Sequence, residues 1–280
     1  MIKITETARD AMQGIKKNIP AEVKINYINA LLDVGFDTVD CGSFVSPRVI
    51  PQMADTTQVV QGLNITPTSP EIMALVVNPK GVQHALSVNR INCLSYPFSV
   101  SEEFLKRNMN TSEKIALQSL AQMLEMTENT PMDWVVYLSM GLGNPYGDTW
   151  SIGKVTDAAG KLMSMGIRRM PVSDILGQAT PDTIFNVYSS LRKTFPEVDF
   201  GLHLHTLPSQ SHQKLEAAWE AGVTSFETVL NGLGGCPTAA NEMVGNLSTQ
   251  DLLSFLQDKN IPCKVKPDSL FPAMEIAQSF

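Results

Sequence analysis

The chain has no apolar run near the roughly 18 to 20 residues that a membrane-spanning helix requires, and no basic tract beyond pairs such as Lys16-Lys17 and Lys106-Arg107. A span is therefore not expected. With 21 Lys and Arg against 28 Asp and Glu, a net charge of −7 and a pI near 5.1, neither nucleic acid nor an anionic membrane is the expected partner. Any anionic ligand must be met by local charges. Cysteine is scarce: Cys41, Cys93, Cys236 and Cys263 are widely spaced with no CxxC pair, which excludes a zinc knuckle or a disulfide framework. The start of the chain is strand-like, without a charged segment leading into an apolar core, so no export signal is expected and the compartment is taken as cytoplasmic. No Gly/Ser/Pro-rich linker or low-complexity tract divides the 280 residues, so one domain is the simplest organisation.

Short β-branched or apolar runs alternate with longer segments of helical period. Eight strands are expected at Ile2 to Glu6, Thr38 to Gly42, Ile72 to Val77, Arg90 to Ser95, Trp134 to Ser139, Arg168 to Ser173, Phe200 to His205 and Ser225 to Leu230. Helices are expected among others at Ala21 to Val34, Ser112 to Met126, Thr156 to Met165, Pro181 to Thr194 and Gln210 to Ala221. Gly35, Gly166 and Gly222 each stand between a helix and a strand, where a left-handed cap is expected. Repeated βα units over this length point to an α/β fold, a (β/α)8 TIM barrel over residues 1–280 with a helical C-terminal extension. A doubly wound open sheet is the alternative, but Thr7 to Gln13 is not the Gly-rich phosphate turn such a sheet carries after its first strand.

A barrel places its chemistry at the C-terminal ends of the strands, where this chain has Arg9-Asp10 and Gln13, Asp40 and Ser43, Asp174, His203-Leu-His205, and the Gly-Leu-Gly-Gly-Cys236-Pro run with Asn246 beyond it. His203 and His205 share a face because strand side chains alternate. On their own they are either core histidines satisfied by carbonyls or metal ligands. Asp10 tips the balance, since the first strand of a closed barrel lies near the seventh and eighth. With the amide oxygen of Asn246 the set is two nitrogens and two oxygens bearing one negative charge, suited to Mg²⁺ or Mn²⁺ and able to accept Co²⁺ or Zn²⁺. Arg9 is either an ion-pair arginine or a stabiliser of a developing oxyanion. Cys236 is either an inert thiol or a proton carrier, its neighbouring glycines permitting close approach.

Several segments in the same order are similar to one family: Thr5 to Gln13, Ser43-Phe-Val-Ser-Pro47 with Pro51 to Met53, Ser101 to Ser112, Gly143 to Gly147, His203 to His205, Gly232 to Pro237, and Gly245 to Thr249. The chain resembles the 3-hydroxy-3-methylglutaryl-CoA lyases, in the metal-dependent barrel family that also contains isopropylmalate and homocitrate synthases. The resemblance implies metal ligation by Asp10, His203, His205 and Asn246, enolate stabilisation by Arg9, and proton transfer by Cys236. Asp40 and Asp174 are taken with these as catalytic carboxylates, and Gln13 and Ser43 as substrate contacts. It also implies a homodimer acting on an acyl-CoA thioester, most simply 3-hydroxy-3-methylglutaryl-CoA cleaved to acetyl-CoA and acetoacetate. The Gly-Gly-Cys-Pro loop resembles the lyase branch, where the synthases usually carry Gly-Glu-Arg. A Claisen condensation of acetyl-CoA with a 2-oxo acid and a catalytically impaired CoA-ester-binding paralogue are the alternatives.

Four departures bear on these expectations. Asp40 stands where the family usually has Glu, Ala11-Met12 where it has Gly-Leu, and Val172-Ser173 replace the usual neighbours of Asp174. Thr206 follows His205 where the family usually has Asp, so a carboxylate that would orient the ligands is expected to be missing. Arg48, Lys106 and Arg107 are candidate partners for CoA phosphates, or plain solvated charges.

Overall fold

A computed structural model describes residues 1–235 and 244–280. All eight expected strands are present: β1 (Lys3–Glu6), β2 (Thr38–Ser43), β3 (Glu71–Leu75), β4 (Cys93–Tyr96), β5 (Asp133–Val136), β6 (Val172–Asp174), β7 (Leu202–Leu204) and β8 (Ser225–Thr228). They are parallel, in the order β5-β4-β3-β2-β1-β8-β7-β6. Closure between β5 and β6 runs just beyond the regular ladders, where Val136 N–H donates to Arg169 O at 3.0 Å, Leu138 N–H to Pro171 O at 2.8 Å and Ser173 N–H to Leu138 O at 3.1 Å. The sixth strand is shorter than its pattern suggested because Pro171 has no N–H to give the ladder.

Helices cover the outside. Pro181–Thr194 matches its expected bounds, and Ile152–Ser164 begins a turn earlier than the apolar period indicated because the Ser151 hydroxyl accepts the Lys154 N–H at 3.2 Å and caps the helix there. Gly35, Gly166 and Gly222 take φ of 105°, 94° and 84°, as a left-handed cap requires. Beyond the eighth barrel helix (Thr249–Asp258), the terminal helix Phe271–Ala277 lies against Ala21–Leu32, with Phe280 edge-on to the buried Tyr27 at 5.0 Å. The terminal helix covers the outer face of one barrel helix.

Strand alternation divides the burial into two cores. The large one fills the layer between sheet and helices. A smaller one, Met73, Cys93, Val135 and Tyr137, lines the barrel interior on the β3–β5 side. On the opposite side β1, β2, β7 and β8 turn polar residues inward, including Asp40, His203 and Glu227. At the N-terminal end Arg169 bridges Glu71 and Asp133, both at 2.8 Å, so charge is paired off there and the functional groups are left to the C-terminal mouth.

Candidate metal centre and active site

Directly after β1 the chain turns into the six-residue helix Ala8–Gln13, which sets Arg9 and Asp10 over the mouth and returns Gln13 to the same side one turn later. The two oxygens of Asp10 then divide their work. Oδ1 accepts from Arg9 Nη1 at 3.1 Å and from the Gln13 amide. Oδ2 faces the ring pair, 3.9 Å from Nε2 of His203 and 3.9 Å from Nε2 of His205. One ligand atom from each of these three buried residues lies within 4.8 Å of the others.

Hydrogen bonding decides which ring nitrogens are free. His205 Nδ1 lies 3.1 Å from the Val244 carbonyl oxygen, and a carbonyl can only accept, so the proton sits on Nδ1. His203 Nδ1 lies 2.8 Å from Glu227 Oε2, with the same result. Both Nε2 lone pairs therefore point at the space in front of Asp10, the arrangement a metal-binding imidazole needs. Two buried imidazoles and one buried carboxylate, each with a free ligand atom facing the others, fit a divalent cation. Asn246 lies close by: its amide N–H donates to Leu233 O at 2.9 Å, and its side chain helps to hold the Asp10 carboxyl down.

The electrostatics agree. Burial pushes the Asp10 carboxyl upward, but Arg9, His205 and His203 outweigh it and hold it below its usual range. Burial lowers the affinity of His203 for a proton, yet the bond to Glu227 outweighs it and the net shift is upward. His205, with only a carbonyl behind it, is shifted down by burial. Burial also acts against the charge on Arg9, and Asp40 and Asp10 overcome it.

Asp40 grips Arg9 through one oxygen, Oδ2, at 2.9 Å from Nε and 2.7 Å from Nη2. Burial pushes its carboxyl up to about 6, with Arg9 opposing the rise. Three N–H groups of Arg9 are thus committed among the described residues, leaving two of its five for an incoming oxygen. Asp174 sits at the end of β6, where its oxygens accept the N–H groups of Leu176 at 3.1 Å and Ala179 at 2.7 Å. It borders a cavity of about 200 Å³ with Asn144 and Trp150, beside the metal cluster and not in it. The Ser43 hydroxyl is turned into its own loop, accepting Val45 N–H at 3.1 Å. Cys236 lies outside the described residues. Arg107 is engaged by Glu103 at 2.9 Å and lies over the Tyr146 ring at 5.4 Å.

The carboxylate expected to be missing is supplied from elsewhere. The Thr206 hydroxyl donates to the neighbouring Leu207 carbonyl at 3.2 Å, while Glu227 of β8, in register opposite His203, stands behind that ring. Its one signal in the sequence is a charge set inside an otherwise uncharged strand. Glu6 was also missed. It is fully buried at the end of β1, accepting Leu230 N–H and the Thr249 hydroxyl, both at 2.8 Å, and so ties together both ends of the segment that carries Asn246.

The HMGL-like family model matches residues 1–276. The chain belongs to the HMGL-like family. Over 256 residues it is 31% identical to the cytoplasmic 3-hydroxy-3-methylglutaryl-CoA lyase of Rattus norvegicus, covering 91% of this chain and 74% of that protein. Among solved structures, the HMG-CoA lyase from Brucella melitensis superposes with a TM-score of 0.93 at 27% identity, covering 99% of this chain and 98% of that one. An HMG-CoA lyase from Acenitobacter baumannii, in complex with coenzyme A and 3-methylmalate, superposes at 0.90 with 25% identity, covering 100% of this chain and 90% of the other. Within the HMGL-like family the chain is a TIM-barrel carbon–carbon lyase.

Proposed function

We propose that this HMGL-like protein cleaves 3-hydroxy-3-methylglutaryl-CoA to acetyl-CoA and acetoacetate with the aid of a divalent metal. The observation that carries the reading is the convergence of Asp10 Oδ2 and the two imidazole Nε2 atoms, each 3.9 Å away, beside an arginine with free N–H donors. Asp10, His203, His205 and Asn246 would hold the metal, with Mg²⁺ or Mn²⁺ favoured by the mixed oxygen and nitrogen set. When bound, the metal supplies Lewis acidity towards the substrate's oxygens and lowers the cost of ionising its tertiary hydroxyl.

The remaining work falls to the chain's own groups. Asp10 and Asp40 orient Arg9, whose two free N–H groups meet the thioester oxygen as carbon–carbon cleavage moves charge onto it. Cys236 gives a proton to the acetyl-CoA enolate carbon, and the proton released by the tertiary hydroxyl restores the thiol. Asp174 and Ser43 hold the rim loops on which the acyl-CoA lies, and Gln13 steadies Asp10. CoA as the carrier is supported by the complex of the Acenitobacter baumannii relative. A cytoplasmic homodimer is the proposed working form; no helix among the described residues is long and apolar enough to cross a membrane.

The test is release of acetyl-CoA from 3-hydroxy-3-methylglutaryl-CoA by the purified chain with Mg²⁺ or Mn²⁺, followed by chromatography. Turnover that requires the metal is expected. Absence of cleavage with this thioester and with related 3-hydroxyacyl-CoA thioesters would overturn the reading.

A further inference from the structure

The two imidazoles of the metal centre are backed by chemically different groups. His205 rests on a backbone carbonyl, Val244 O at 3.1 Å, which orients a ring but carries no net charge. His203 rests on a carboxylate, Glu227 Oε2 at 2.8 Å. That carboxylate is itself gripped: its other oxygen accepts the Tyr137 hydroxyl at 3.3 Å, and Tyr137 packs edge-on to the His203 ring with centroids 5.5 Å apart. Glu227 is 6% exposed and Tyr137 5%, so neither has solvent to turn into.

We propose that Glu227 is the positioning residue of the metal centre. Accepting the Nδ1 proton of His203 fixes the tautomer in which the Nε2 lone pair faces Asp10, and the charge behind the ring makes His203 the stronger donor of the pair. Glu227 acts through His203: among the described residues its side chain hydrogen-bonds only to that ring and to Tyr137. Its placement follows from the sheet. His203 and Glu227 are register partners on adjacent parallel strands, so their side chains leave the backbone side by side into the barrel. Tyr137 reaches them across the interior from just beyond β5. The carboxylate is thus held by three strands and stays in place whether or not a cation is bound.

This inference rests on Asp10, His203 and His205 being metal ligands, and the experiment separates the two claims. The parent chain, Glu227→Gln, Glu227→Asp and Tyr137→Phe are each titrated with Mn²⁺, free ion being read by electron paramagnetic resonance, and the metal-free melting temperature is recorded beside it. Glu227→Gln is expected to weaken Mn²⁺ binding by roughly 10- to 100-fold without a matching fall in metal-free melting temperature. Glu227→Asp should recover part of the loss and Tyr137→Phe show a smaller one. If the parent binds one Mn²⁺ and Glu227→Gln binds it equally well, the positioning role is overturned while the metal site stands; a parent that binds none removes both. Should Glu227→Gln fail to fold, long-range ¹H–¹⁵N spectra of the metal-free parent decide the matter, with protonation at His203 Nδ1 expected and protonation at Nε2 overturning the proposal.

Discussion

The guanidinium of Arg9 is carried on a single oxygen of Asp40, with Nε at 2.9 Å and Nη2 at 2.7 Å, while the second oxygen of that carboxylate is buried with no partner among the described residues. The family's usual Glu would be one methylene longer. The shorter side chain still makes the contact. Asp40→Asn should lower kcat by about 10²-fold, the scale of losing an oriented donor to a developing oxyanion, with a much smaller change in KM. Asp40→Glu should retain most of the activity. Steady-state kinetics with the hydroxymethylglutaryl thioester check both, and an unimpaired Asp40→Asn would show that Arg9 is oriented by Asp10 alone.

Glu6 should make stability depend on pH in an unusual direction. Burial pushes its carboxyl from 4.5 up to about 8, so between those values the folded chain retains a proton that the unfolded chain has released. The contribution of this group is fully present below about pH 4.5 and is lost as the pH rises through about 8, at no more than about 1.4 kcal/mol per pH unit. Glu6→Gln imitates the protonated acid, since its carbonyl can accept Leu230 N–H and its amide can donate to the Thr249 hydroxyl. Melting curves should converge for parent and variant near pH 5, with the variant the more stable at pH 9. Equal melting temperatures at pH 9 would show that Glu6 ionises without cost.

Gly234 connects the Gly-rich loop to the ligands. At φ 82° a Cβ on this residue would lie 2.5 Å from the Asp10 carbonyl oxygen and 3.1 Å from the Asn246 amide nitrogen. The obstruction is backbone on one side and the Asn246 amide on the other, so it cannot be relieved by a rotamer change of the new side chain. Gly234→Ala should therefore lose at least about 10-fold in kcat/KM through displaced ligands and about 1–3 kcal/mol of stability through left-handed strain. Kinetics and denaturant titration report the two effects separately, and a variant that melts lower yet turns over normally would contradict the link to Asp10 and Asn246.

Much of the molecule was legible in the sequence because the relevant signals are local. The eight strands were readable from their apolar runs and helices from caps such as Ser112. A spacing of two put His203 and His205 on one face, and the position of Asp10 after the first strand brought it to the same mouth once the barrel was assumed closed. Ser43 and Asp174 show the limit of such reasoning. Both stand at strand ends, as expected, but Ser43 bonds to Val45 and Asp174 to Leu176 and Ala179, since a side chain close to unpaired loop N–H groups satisfies those first.

By itself the sequence determined the period of each element and the chemical identity of the groups that converge at the mouth, because both depend on the order of residues along one segment. Only the tertiary structure decided which carboxylate stands behind which ring, how Pro171 leaves the barrel to close beyond its regular ladders, and that Glu6 and Glu227 are buried. Those outcomes depend on register between strands far apart in the chain. Neighbouring parallel strands are aligned by the packing of the helices that join them, and no residue type on either strand encodes that alignment.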